Sequence, residues 1–276
     1  MSGRYPRQTV IVSDKAVASD DPSDIIQSNI EFLNAQFEEH LRHDEVSENA
    51  LRSYYVDYFL AQFENGGFSQ FVYNSRWGEC IDYITDGFAA IGAVRHLELF
   101  ENAAKQMSER PGIEGLKKFC ASDYFGENEE RDILNEFNDG FSALSESEDL
   151  IALNAQWLRQ LPDLVVLSET EMAEELRRRA DAVPDREDRI TAALAAEPRY
   201  MKVVRALCKA AGHELERVTA GDPTFEHDGQ RMISWHFLTD KGHFHMADID
   251  GKALMFKGHT DEVVCEIEVS DAFGTG

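Results

Sequence analysis

The sequence predicts an α+β protein, with an N-terminal all-α domain followed by a small C-terminal α+β domain built on an antiparallel meander. Three observations predict it. Apolar residues recur with a period near 3.6 from residue 24 to residue 165. From Leu215 onward the pattern becomes short apolar runs separated by turn residues. The chain also has 276 residues, well above the roughly 150 that one domain typically holds.

Residues 1–23 read as a loose N-terminal arm, with Thr9 to Val12 as a candidate short strand. Asp21-Pro22 supplies a helix start, an acceptor at the N-cap and a ring fixed at helical φ, and Ile26, Ile30, Leu33 and Phe37 follow at helical spacing. A second helix begins near Ser47, carries Leu51, Tyr54, Tyr55, Tyr58, Phe59 and Phe63 on one wide apolar face, and stops at Gly66-Gly67. Ile81, Ile84, Phe88 and Ile91 form a third stretch, broken at Gly92 and resumed by Val94, Leu97 and Met107. Leu134, Phe137, Phe141 and Leu144 mark another helix, and Leu150 to Leu161 one more before Pro162. Together these make a helical domain over 24–165.

Ser168-x-x-Glu171 is a capping box, and the Arg- and Glu-rich helix it opens runs to Val183-Pro184. Its polarity makes 166–196 a solvated helical connector. In 197–276 a helix from Pro198 to Ala211 ends at Gly212. Strands are expected over 215–219, 231–238, 243–249, 253–257 and 263–269, with turns at Gly221-Asp222-Pro223, Asp228-Gly229, Asp240-Lys241-Gly242 and Asp250-Gly251.

Composition narrows the function classes. Lys and Arg number 27 against 52 Asp and Glu, a net charge of −25, so nucleic acid and anionic membrane surfaces are expected to repel the chain rather than bind it. A hydrophobic fraction of 43% excludes a disordered acidic tail. No stretch approaches the roughly 18 apolar residues of a membrane span, and no apolar leader follows the N-terminal arginines. Cys80, Cys120, Cys208 and Cys265 are far apart among apolar neighbours and read as buried reduced thiols. A cytoplasmic protein is the expectation.

Catalytic signatures are absent from the sequence. There is no phosphate-cradling glycine loop, no Glu-x-x-His pair for a di-iron bundle, and Gly67-Phe68-Ser69 lacks the second glycine of a nucleophile elbow. Asp248-Ile249-Asp250-Gly251 lacks the terminal Glu of a calcium loop. Histidine is the one suggestive constellation, five of nine lying between His227 and His259. A loop of Thr239 to Gly242 puts His236 opposite His245 with His243 on the same face, three imidazoles that can bind zinc. A bulge at Gly242 instead pairs Phe237 with His245 and breaks the cluster. Alternation of Ile233, Trp235 and Phe237 with Phe244 and Met246 favours the first register. Uncommitted polar-face residues give the same spacing, so no metal and no cofactor is assigned, and His236, His243 and His245 stay as candidates only.

The most distinctive stretch is Asn65-Gly66-Gly67-Phe68-Ser69-Gln70-Phe71 with Asn74 beyond it. The glycines let the chain reverse, Phe68 and Phe71 can return to the core, and Asn65 and Gln70 can bond the freed backbone groups. NGGFSQFVYNS, GFAAIGAVRHLELFENA and LNEFNDGFSALSESEDLIALNAQWLRQLPD resemble the helical domain of the bacterial double-stranded-DNA-mimic proteins, over about residues 24–165. That resemblance implies no catalytic residue and no cofactor. It implies a basic DNA-binding or regulatory protein as partner, held by an acidic surface that imitates the phosphate backbone.

The charge is not spread evenly. Residues 47–165 hold 21 acidic and 9 basic residues. Between Ser122 and Asp149 stand Asp123, Glu127, Glu129, Glu130, Asp132, Glu136, Asp139, Glu146, Glu148 and Asp149 against Arg131 alone. Helical neighbours such as Asp132 and Glu136 lie about 5–6 Å apart at Cβ, while phosphates of one DNA strand rise about 3.4 Å each along the axis, so carboxylate rows can approximate that array. The sequence therefore points to a non-enzymatic acidic protein that binds a basic partner through this face. An immunity-type inhibitor of a basic nuclease or toxin and a metal-binding enzyme using the C-terminal histidines are the alternatives.

Overall fold

The structure, a computed structural model, describes residues 5–78, 80–109, 119–120, 123–145, 147–249, 251–260 and 262–269. It is α+β as expected, mostly helical first and ending in a five-stranded antiparallel sheet. Contacts divide the chain into two compact units, Met1–Arg186 and Glu187–Gly276. No helix among the described residues is long and apolar enough to cross a membrane.

The first unit opens with strand β1 (Val10–Ser13), which pairs in parallel with β2 (Leu164–Leu167). Val10, Ile11 and Val12 are fully or almost fully buried, so the stretch read as a loose arm is core. Both strands are four residues long and carry continuous apolar runs of three or four residues, too short to show alternation. Between them lie helices α1 (Asp14–Ala18), α2 (Pro22–Glu38), α3 (Glu48–Ser75), α4 (Cys80–Ile91), α5 (Val94–Glu109), α6 (Glu129–Asn135), α7 (Asn138–Ser145) and α8 (Leu150–Gln160). The Asp21 and Ser47 side chains cap α2 and α3. The helix expected over Leu134 to Leu144 is in fact two, α6 and α7, parted near Phe137. Phe137 still points inward, which is why the apolar period runs on across the break.

An aromatic cluster fills the centre: Phe59, Phe68, Phe71, Phe88, Phe100 and Phe141 are all essentially inaccessible to solvent. The rings of Phe71, Phe88, Phe100 and Phe141 meet Phe59 at centroid distances of 5.1–5.6 Å, mostly edge-to-face, the geometry aromatic quadrupoles favour.

Helix α9 (Glu169–Asp181) starts with the expected Ser168–Glu171 capping box. It is not a solvated connector. Its Glu175 and Arg179 are buried, 2.9 Å apart, and Arg179 donates on to Gln36 Oε1 of α2 at 2.9 Å. Composition concealed this, because a buried charge pair looks like surface in sequence.

Helix α10 (Arg186–Ala196) begins where the contacts divide, and α11 (Arg199–Ala211) belongs to the second unit. The sheet runs β3 (Leu215–His227), β4 (Gln230–Thr239), β5 (Gly242–Ile249), β6 (Lys252–Lys257) and β7 (Val263–Glu268) in sequence order. Val203, Val204, Leu207 and Cys208 of α11 pack on Phe237, Phe244, Met246 and Met255 of one sheet face. Gly221-Asp222-Pro223 is no turn between strands. It lies inside β3, with register shifts on either side, and Gly221 sits opposite Trp235, which stacks on Tyr200 at 3.7 Å. A Cβ at Gly221 would come within 3.0 Å of that indole, so the glycine gives the tryptophan room.

Candidate functional site

The acidic stretch is organised by a corner in α3. Gly66 is extended at φ −165°, but Gly67 has φ +78° and ψ −173°, a conformation essentially reserved for glycine, and it breaks the helix in two. Phe68 and Phe71 re-enter the core as the sequence suggests. The freed backbone groups are met differently from expectation. Asn138 Oδ1 accepts from the Phe68 N–H at 2.9 Å and the Tyr124 hydroxyl donates to the Gly66 carbonyl at 3.3 Å, whereas the Gln70 amide donates to Gln62 and Asn65 is exposed. These partners sit 58 and 70 residues further along the chain, beyond what local spacing reveals.

Tyr124 and Asn138 tie that corner to the acidic segment. Arg131, its lone base, donates to the Tyr124 and Gly126 carbonyls at 2.9 and 3.1 Å and to Asp132 Oδ1 at 3.2 Å. The guanidinium is therefore spent on holding the 124–126 loop and on one carboxylate. Asp123, Glu127, Glu129, Glu130, Asp132, Glu136 and Asp139 are exposed along this loop, α6 and the start of α7.

Three of the ten acids do not join that set. Glu146 lies outside the described residues. Asp149 is exposed but caps α8 by accepting from the Ala152 N–H at 3.0 Å. Glu148 reaches the start of α5, where its two oxygens accept from the Arg95 and His96 N–H groups at 3.1 and 2.8 Å and from His96 Nδ1 at 2.6 Å. Burial pushes its carboxyl up, but these His96 and Arg95 bonds outweigh it and hold the group below the ordinary range. Burial in turn lowers His96, against the pull of Glu148. Glu148 is thus an anchor at a helix N-terminus, where orphan N–H groups favour an anion.

Phe125 is a residue that charge counting passed over. It is 91% exposed among these carboxylates, edge-on to Tyr124. A hollow of about 280 Å³ beside it is lined by Gln70, Tyr73, Asn74, Asp123 and Tyr124 as well, so two residues of the glycine-corner motif face the acidic segment. Its signal in the sequence was an aromatic flanked by Asp, Gly and Glu.

Residues 44–161 match the family model described as DMP19-like protein, DNA mimic protein 19. The matched span runs from the 3₁₀ turn His43–Glu45 to the end of α8 and contains the glycine corner and the whole acidic segment. The match covers less than half of the chain and is a likeness of this segment to that family. No curated protein matches the chain. No solved structure does either.

In the second unit the register is the one that clusters the histidines: His236 pairs with His245 and Thr239 with Gly242. His236 Nδ1 and His243 Nε2 lie 3.1 Å apart. Burial lowers both rings' pKa values, helped at His236 by His245, His243 and His259 and at His243 by His259 and His245. The third member differs from expectation. His245 Nδ1 donates to the Gly258 carbonyl at 2.7 Å and its ring stacks on Phe256, while His259 comes in beside His243 at a centroid distance of 4.7 Å. The 236–243–245 set was legible from strand pairing; His259 sits on a turn after β6, which alternation cannot place.

Proposed function

We propose that the helical unit is a non-enzymatic DNA mimic that captures a basic DNA-binding protein through the exposed carboxylates of residues 123–139. The observation that carries this reading is the coincidence of the DMP19-like match with that face. Duplex DNA presents one negative charge per roughly 1.7 Å of axis, and a protein groove shaped for it gains from any similarly dense anionic surface. Fixed like charges repel and cost stability, so their crowding fits a surface kept for binding. Phe125 adds an apolar anchor inside the charged field, the arrangement of a hot spot with a polar rim.

The test is competitive capture by the full-length protein. A basic DNA-binding protein should be retained at low salt, released at high salt and displaced by duplex DNA. Neutralising Glu127, Glu129, Glu130 and Asp132 to Gln or Asn should weaken it by about tenfold or more, at up to roughly 1 kcal/mol per rim charge. Phe125→Ala should cost about fivefold or more at unchanged melting temperature. Capture that neither duplex DNA nor the neutralised variant diminishes would sink the proposal.

A further inference from the structure

The sheet of the second unit has two unlike faces. One is closed by α11; the other carries His236, His243, His245 and, at its edge, His259, beside the rings of Phe225 and Phe256. One ligand nitrogen from each of His236, His243 and His259 lies within 4.8 Å of the other two. We infer that His236, His243 and His259 form a binding site for a divalent first-row transition metal, with Zn²⁺ as the natural occupant.

The geometry is close to what the ion needs. Nitrogens bound at about 2.05 Å on a tetrahedral ion stand roughly 3.3 Å apart. The His236 Nδ1 to His243 Nε2 separation of 3.1 Å is already there, and an ion between them would take the place of the proton they share. His236 and His243 are fixed by cross-strand register, since neighbouring pairs Trp235–Met246 and Phe237–Phe244 are locked under α11. The third arm is fixed by backbone. Gly258, at φ +58°, donates its N–H to the His243 carbonyl at 2.8 Å and accepts from His245, so the turn bearing His259 is pinned beside the other two rings. His245 is thus a positioning residue.

Ser234 Oγ lies 3.5 Å from His236 Nε2, a contact through which the outer side of that ligand ring is oriented. Three neutral imidazoles are borderline donors that suit zinc, nickel, cobalt and copper rather than magnesium or calcium. His259 is exposed, so a fourth position opens to solvent. The ion would tie the β4–β5 hairpin to the turn that leads into β7.

Titration calorimetry of chelator-stripped full-length protein with ZnCl₂, and the visible spectrum of the Co²⁺ form, test this. One ion per chain is expected, with the intense visible bands of four-coordinate Co²⁺ and a melting temperature raised by zinc and restored by chelator. His259→Ala changes an exposed turn residue, so it should fold as the parent does. It should weaken zinc by more than the about 10–100-fold that loss of an outer-sphere partner costs. His40→Ala, in the other unit, should leave binding unchanged. Sub-stoichiometric zinc, or equal affinity in His259→Ala and the parent, would overturn the site.

Discussion

At Gly67 one torsion decides the course of the longest helix. A Cβ there would lie 2.6 Å from Asn138 Nδ2, on a backbone that L-residues rarely adopt. Gly67→Ala is therefore expected to cost about 2–4 kcal/mol, combining backbone strain with damage to the Asn138–Phe68 bond. Gly66→Ala makes a sharp control. Its φ is extended and its Cβ would press mainly on the movable end of the Gln70 side chain, with Gln70 Cβ at 3.0 Å, so a smaller cost of about 1–2 kcal/mol is expected. Chemical denaturation of both variants reads the difference. The need for glycine at this corner was legible in the sequence, because two adjacent glycines ending an apolar-faced helix have few other uses. What receives the corner was not, since Tyr124 and Asn138 are brought there only by the tertiary fold. The cysteines show the same limit: Cys80, Cys120 and Cys208 are buried, with Cys208 pushed up to about 11 by burial, whereas Cys265 on β7 is only half-buried.

Among the elements, α5 and α9 each depend on a carboxylate whose proton affinity the fold depresses. Glu175 is lowered because the Arg178 and Arg179 bonds overcome its burial, and Glu148 because the His96 and Arg95 bonds do. A carboxylate depressed in the folded state contributes stability that is complete above its unfolded pKa, and the contribution is lost as pH falls through the folded value. The melting temperature should therefore fall as pH drops from about 5 toward 3, and Glu148→Gln should lower it near neutrality and flatten that acid slope. An unchanged slope would show that Glu148 contributes nothing to α5. Helix periodicity and caps were readable because they are local, and Asp21, Ser47 and Ser168 all cap as their spacing suggests. The division of α6 from α7, the β1–β2 pair and the burial of α9 were hidden for separate reasons. Both sides of the α6–α7 break bury phenylalanines or leucines in one period, the two strands are too short to alternate, and an Arg–Glu pair reads as solvated whether or not it is.

For the molecule as a whole, the net charge of −25 is a self-repulsion that salt screens. Raising NaCl from about 20 to about 200 mM, which shortens the Debye length from roughly 20 to 7 Å, should raise the melting temperature of the parent by a few degrees. The gain should shrink in the variant neutralised at Glu127, Glu129, Glu130 and Asp132. Salt would thus act oppositely on the two properties of the acidic segment, steadying the fold while releasing the partner. The α+β class and the succession of a helical part by an antiparallel meander could be read from periodicity, and so could the concentration of charge. Which carboxylates face solvent could not, because Glu148 and Glu127 look alike until the helix that Glu148 caps is in place.

The parallel pairing of Val10 with Leu164 has a consequence for the chain as it is made. At about 5–20 residues per second, a ribosome needs roughly 8–30 s after β1 emerges to deliver its partner. Throughout that interval Val10, Ile11 and Val12 have no strand to pair with, although the helices between can already condense. Within the first unit β1 can then close only after β2 has been delivered, with α9 still to follow, and a translation stall just before Leu164 would leave an aggregation-prone edge beside the helices already made.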